Sequence, residues 1–299
     1  MKSLLAMVRR NTKIFFFDKG TFFTAMISPI VLVVLFITFL GDVYRDSLAA
    51  VLPAGMTISK TITEGFVGGW LFSSLLAVCC VTIAFCSNMI MVEDRAKGTR
   101  NDLVISPVST SALAISYYIA TLICTLIVCF TVLGLGFVYL AVVGWYLSVL
   151  DVLLLCLDVV LLVLFGTAFS SVVVFFLSTQ GQIAAVGSTV SSSYGFLCGA
   201  YMPLSQFSSG LQAIISCLPG TYGTILLRCH FMRGALSAMV DEGLSPEMVD
   251  GMRVAFDNRI EFFGHPVSEG AMYAVLIGAM AALMTLYMLQ NRILRRSAK

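Results

Sequence analysis

The chain has 299 residues, of which 59% are hydrophobic and 11% charged, with a mean hydropathy of +0.97 and a formal charge of +2. This composition excludes an ordinary soluble domain and marks an integral membrane protein. Its few cations are placed for membrane orientation and anionic lipid, not for nucleic acid.

Residues 1–17 predict an interfacial helix, with Lys2, Arg9, Arg10 and Lys13 on one face and Leu4, Met7, Val8, Ile14 and Phe15 on the other. A first span follows at 22–40 and contains Pro29, a kink site; a mixed-charge loop from Gly41 to Gly65 reads as mostly irregular. Further spans are predicted at 66–92, 113–143, 152–177, 183–200 and 271–290. Each has roughly the 20 or more residues that cross a ~30 Å hydrocarbon core, where spanning elements must satisfy their own backbone groups as helices, and the long 113–143 must tilt or protrude. The expected fold is all-α with six transmembrane helices.

The segment 93–112 opens with Glu93 and Asp94, passes Gly98 and Asp102, and ends near Ser106-Pro107. It predicts a short helix docked between two long ones, read either as a contact for a partner or as a solvated loop. The fifth span is rich in hydroxyls: Ser188, Ser191 and Ser192 precede Tyr194, Gly195 and Gly199. Two readings stay open, a helix-packing or dimer seam and a substrate-lining surface.

Residues 201–270 separate the last two spans. Phe207, Leu211, Ile214, Ile215 and Leu218 recur at helical spacing, predicting a re-entrant helix. Ser245-Pro246-Glu247 starts a second, external helix with Met248, Met252, Phe256 and Ile260 at intervals of four, expected to pack on the first part as a lid. Arg228 reads as an interfacial side chain snorkelling to headgroups.

An even number of spans puts both termini on one side. That side carries 12 of the 18 basic residues and four acids, about +8, against about −5 opposite, so both ends are expected in the cytoplasm. Seven of the nine cysteines fall within spans as small apolar fillers; Cys217 and Cys229 lie in the outer region, where a bridge between them stays open. The sequence carries no phosphate-binding loop, no zinc helix and no nucleophile elbow, so neither a catalytic nor a cofactor site is expected in it. Asp158 is the one acid well inside a span, read as a structural acid or as a gating or substrate contact, with no evident partner in a facing helix.

Taken in order, these segments resemble the membrane subunit of an ABC exporter of the ABC-2 permease type. The segment Glu93–Ser109, with Gly98 and Ser106-Pro107-Val108-Ser109, is similar to that family's coupling helix. Gly199-Ala-Tyr-Met-Pro203, then Leu218-Pro219-x-Tyr222-Gly and Leu227-Arg228, is similar to its region before the last span. The resemblance implies one ABC-2 domain over 1–299, in which Glu93, Asp94, Gly98, Asp102 and Pro107 couple to an ATPase. It also implies that Pro203, Pro219, Tyr222 and Arg228 form an external gate. Implied partners are two copies of an ABC ATPase carrying ATP and Mg, and a second permease copy or paralogue, in a bacterial or archaeal plasma membrane. The cargo would be an amphiphilic drug, peptide or lipid. An ion-coupled carrier using Asp158 and a non-transporting scaffold are the alternatives.

Overall fold

A computed structural model describes residues 2–51, 58–99, 103, 110–262 and 265–297. Helix α1 (Lys2–Phe17) buries Met7, Val8 and Phe15 and leaves Arg9 and Lys13 exposed. Asp18 starts α2 (Lys19–Leu35) by accepting the Gly20 and Thr21 amides, two of the donors a helix N-terminus leaves unpaired. Pro29 lies within α2, and a π turn at Phe36–Leu40 carries the helix into α3 (Gly41–Val51). The expected irregular loop is therefore corrected. Tyr44 and Leu48 bury one helical face, and Arg45 holds Glu64 with two bonds of 2.9 Å, so the charges decorate a helix.

Helix α4 (Lys60–Asn88) is the axis of the bundle and is continued by α5 (Ile90–Ala96). Its most apolar stretch is wholly buried, because α2, α6 (Thr110–Val143), α7 (Val149–Val174), α8 (Gln180–Leu197) and α10 (Pro219–Asp241) all pack on it. A helix apolar on every side belongs in such a position. Missing side chains permit the approach: a Cβ on Gly166 of α7 would sit 2.5 Å from the Cys80 carbonyl oxygen of α4.

Among the described residues, five segments are long and apolar enough to span: Lys19–Ala50, Lys60–Ala96, Ala112–Val143, Val149–Val174 and Glu269–Asn291. A sixth arises if α9 (Ser209–Ser216) and α10, which meet at 90°, count as one broken span. Helix α8 is 18 residues long, about 27 Å at 1.5 Å per residue, but its hydroxyl run makes it less apolar than these five. The protein is an all-α integral membrane protein.

Past α10, Ser245 caps α11 (Pro246–Ala255), and a short ribbon pairs Glu261–Phe262 (β1) with His265–Pro266 (β2) before α12 (Glu269–Ser297). Met252, Phe256 and Ile260 are buried and Met248 half-buried. The helix ends at Ala255, however, so of the expected series only Met248 and Met252 stand on it, and Ile260 follows a turn through Asp257 at φ 51°. Helix α11 packs on α10 and α3, and Phe256 meets the Phe66 ring at 5.0 Å. Near the end of α12, Tyr287 donates to the Ala114 carbonyl at the start of α6. Arg10 of α1 reaches Asp94 of α5, so both ends of the chain lie at one face of the bundle.

Candidate functional site

At that terminal face three elements converge on one carboxylate. Arg10 donates to Asp94 through both terminal nitrogens, at 2.7 and 2.9 Å, and Tyr117 of α6 donates its hydroxyl at 2.5 Å. Asp94 is buried and Arg10 half-buried. The bond to Asp94 holds the Arg10 guanidinium above its ordinary pKa, against the lowering effect of burial. Asp94 thus faces inward, and one of the cations expected on the lipid side of α1 is spent on it.

The neighbouring residues fix the same segment. Glu93 pairs with Lys97 at 3.0 Å, and Gly98, at φ +80°, stops α5 in the left-handed conformation that suits glycine. Arg95 donates to the carbonyls of Phe175 and Leu177, oxygens the C-terminal end of α7 leaves unpaired. Asp102 and Pro107 lie outside the described residues.

Helix α8 divides its candidate residues between two faces. Ser188 and Ser192 are exposed, and their hydroxyls bond to the Ala185 and Ser188 carbonyls of the same helix. They share that face with Ala185, Thr189 and Phe196; the Ser191 side chain lies outside the described set. Tyr194, Gly195 and Gly199 point into the chain. Tyr201 fills the space a Cβ on Gly195 would need, the Tyr194 hydroxyl abuts Gly220 of α10, and Gly199 turns the backbone at φ +70°. The glycine pair serves packing within the chain.

On the far face Arg228 is wholly buried, which corrects the snorkelling expectation. It donates to Asp257 at 2.9 Å, to Ser74 of α4 at 3.1 Å and to the Gly199 carbonyl, with its guanidinium 4.8 Å from the Trp70 ring centroid. Asp257 also accepts the Leu204 amide at 2.6 Å. A buried charge persists only with such compensation. Pro203 precedes the turn Leu204–Gln206, Pro219 opens α10, and Tyr222 donates to the Ser216 carbonyl at 2.7 Å across the 90° bend. Cys217 is exposed, Cys229 is buried, and both are free thiols.

Asp158 has the partners the sequence did not reveal. His230 Nδ1 of α10 lies 2.5 Å from its Oδ2, and Tyr273 of α12 donates to its Oδ1 at 2.6 Å. Around this core Arg233 bridges Asp151 of α7 and Glu269 of α12. Among the described residues, no group of three or more His, Cys, Asp or Glu is placed to hold a metal ion.

The model of the ABC-2 type transporter family matches residues 2–231 of the chain. The chain belongs to that family. A search of curated proteins returned no match. The ABC-2 match runs from α1 into α10 and takes in the Arg10–Asp94–Tyr117 node and Arg228, while Asp257, Glu269 and Tyr273 follow it.

Several residues that organise this ABC-2 transporter chain escaped the sequence reading: Arg10 and Tyr117 as partners of Asp94, Arg95 as a cap, and His230 and Tyr273 as partners of Asp158. A usable signal existed for His230. It sits two residues past Arg228 in a stretch too apolar for a free loop, so two basic groups there demanded buried acids. Tyr117 and Tyr273 gave no signal, since a tyrosine in a span is equally an interfacial anchor.

Proposed function

We propose that the chain is the permease subunit of an ATP-driven ABC exporter, supplying half of a translocation path while a separate ATPase hydrolyses ATP. The observation that carries this reading is the Arg10–Asp94–Tyr117 node, because it ties the interfacial helix, the segment entering 93–112 and the third span into one body. The terminal face is then cytoplasmic, in keeping with its basic residues. The ATPase docks on the segment through Glu93, Gly98, Asp102 and Pro107, and Asp94 positions the segment from inside rather than touching the partner. Nucleotide drives the cycle by binding one conformation more tightly than the other.

In the complete assembly two ATPase copies serve two permeases, this chain with a copy or a paralogue. The exposed face of α8, with Ser188, Thr189 and Ser192, lines the seam or path, and its self-bonded hydroxyls suit an amphiphilic drug, peptide or lipid-like cargo. Pro203, Pro219, Tyr222 and Arg228 form the outer gate. The test is purification from the native membrane in mild detergent, with mass spectrometry of the co-purifying chains. A stoichiometric subunit bearing a phosphate-binding loop is expected. A chain that emerges alone, with no ATP hydrolysis tracking it, contradicts the reading.

One observation favours an ion-coupled carrier instead: the Asp158–His230–Tyr273 cluster joins three facing helices. Substrate flux driven by a proton gradient without ATP would establish that alternative.

A further inference from the structure

Beyond residue 231, where the family match ends, the chain builds a cavity of about 400 Å³. Helices α10 and α11, the β-ribbon and the first turn of α12 surround it, and Cys229 alone among its described lining residues belongs to the matched region. The volume falls within the ~300–1,000 Å³ typical of small-molecule sites. Most of its wall therefore lies outside the residues that the family model matches.

The charges in its wall do not cancel. Arg259 takes Asp250 through both oxygens, at 3.2 and 3.0 Å, and Arg233 takes Glu269 at 3.0 Å. Arg253 lines the same cavity and makes no ion pair among the described residues. Arg233 is further held by Asp151 just outside the wall, so Arg253 is the guanidinium left without a carboxylate among the described residues. Leu236 and Met272, both buried, and half-buried Val267 supply an apolar wall beside them. A cation would meet the uncompensated Arg253 here, and a wholly apolar molecule would leave the guanidinium groups facing hydrocarbon.

We propose that this cavity binds an anionic amphiphile, with a carboxylate or phosphate head on Arg253 and Arg259 and an apolar part against Val267 and Met272. Guanidinium groups match both heads through paired donors. Arg233 lies in the same wall and holds Asp151 to Glu269, so an anion drawing on it loosens the start of α12 from α7. Binding here needs no ATPase and stands apart from the exporter reading.

The test uses the full chain in phosphatidylcholine nanodiscs, titrated with octyl phosphate, octyl glucoside or inorganic phosphate while thermal unfolding is followed. Octyl phosphate is expected to raise the unfolding temperature saturably. Arg253→Gln, at an exposed residue without an ion pair, should raise the half-saturating concentration at least about tenfold, the scale of one charge-assisted contact. Arg259→Gln should act in the same direction. Loss of the response in nanodiscs containing phosphatidylglycerol assigns the site to membrane lipid, and its persistence assigns it to a free amphiphile. The proposal is overturned by an equal shift with octyl glucoside, by equally tight binding of inorganic phosphate, or by an unchanged response in Arg253→Gln.

Discussion

Arg228 and Asp257 meet as an ion pair 2.9 Å long, with side chains 0% and 5% exposed, joining α10 to the turn that follows α11. Breaking such a pair from one side leaves an uncompensated buried charge, at about 3–5 kcal/mol. Arg228→Leu and Asp257→Leu should each lower the unfolding temperature sharply. The double variant should lose clearly less than the sum of the two, which a double-mutant cycle in detergent measures.

The Asp158 cluster supports a second expectation. Asp158→Ala strands the Tyr273 hydroxyl and His230 Nδ1 inside the bundle, about 1–3 kcal/mol for each group. Asp158→Asn keeps an acceptor for Tyr273 and should cost less. Limited proteolysis of the two purified variants ranks them, and ATP-driven transport retained in Asp158→Asn would leave the carrier alternative without support.

Close packing gives a contrast between two glycines. Gly166→Val forces side-chain atoms into the Cys80 carbonyl and should destabilise by about 1–3 kcal/mol. Gly134→Ala in α6 meets nothing within 4 Å and should be neutral or stabilising by up to ~1 kcal/mol, since alanine favours the helix. Thermal unfolding of the pair reads both signs.

Much of this architecture was legible in the sequence, because a membrane makes apolar length informative by itself. The four-residue interval placed Met252 on a buried helical face, but it ran past the true end of the helix at Ala255. What stayed hidden were contacts made across the bundle. Asp94 looked like a surface acid because its partners lie 84 residues before it and 23 after it. Gly195 and Gly199 left a packing or dimer seam and a substrate-lining surface both open, because nothing local announces that the Tyr201 ring folds back over Gly195. The helix that starts at Gly41 was missed because Asp42, Arg45 and Asp46 read as the mixed charge of a loop, while Tyr44 and Leu48 mark its buried face.

Asp18 gives a pH expectation. Its bond from the Thr21 hydroxyl, followed by bonds from backbone amides, holds its carboxyl below the ordinary value of 3.8. A depressed acid contributes stability that is fully present above the ordinary value and is lost as pH falls through the folded one. The start of α2 should therefore hold at neutral pH and loosen only below about pH 4. Asp18→Ala should abolish that acid response, read by hydrogen exchange at Gly20 and Thr21.

The central claim is that the Arg10–Asp94 pair positions the segment through which an ATPase drives this bundle. Its most direct test is ATP hydrolysis by the reconstituted permease–ATPase complex carrying Arg10→Asp, Asp94→Arg or both, at matched assembly. The account predicts that each single reversal cuts permease-dependent hydrolysis about tenfold or more and that the double swap recovers a substantial part. Unchanged hydrolysis in both single variants, with the complex intact, would contradict it.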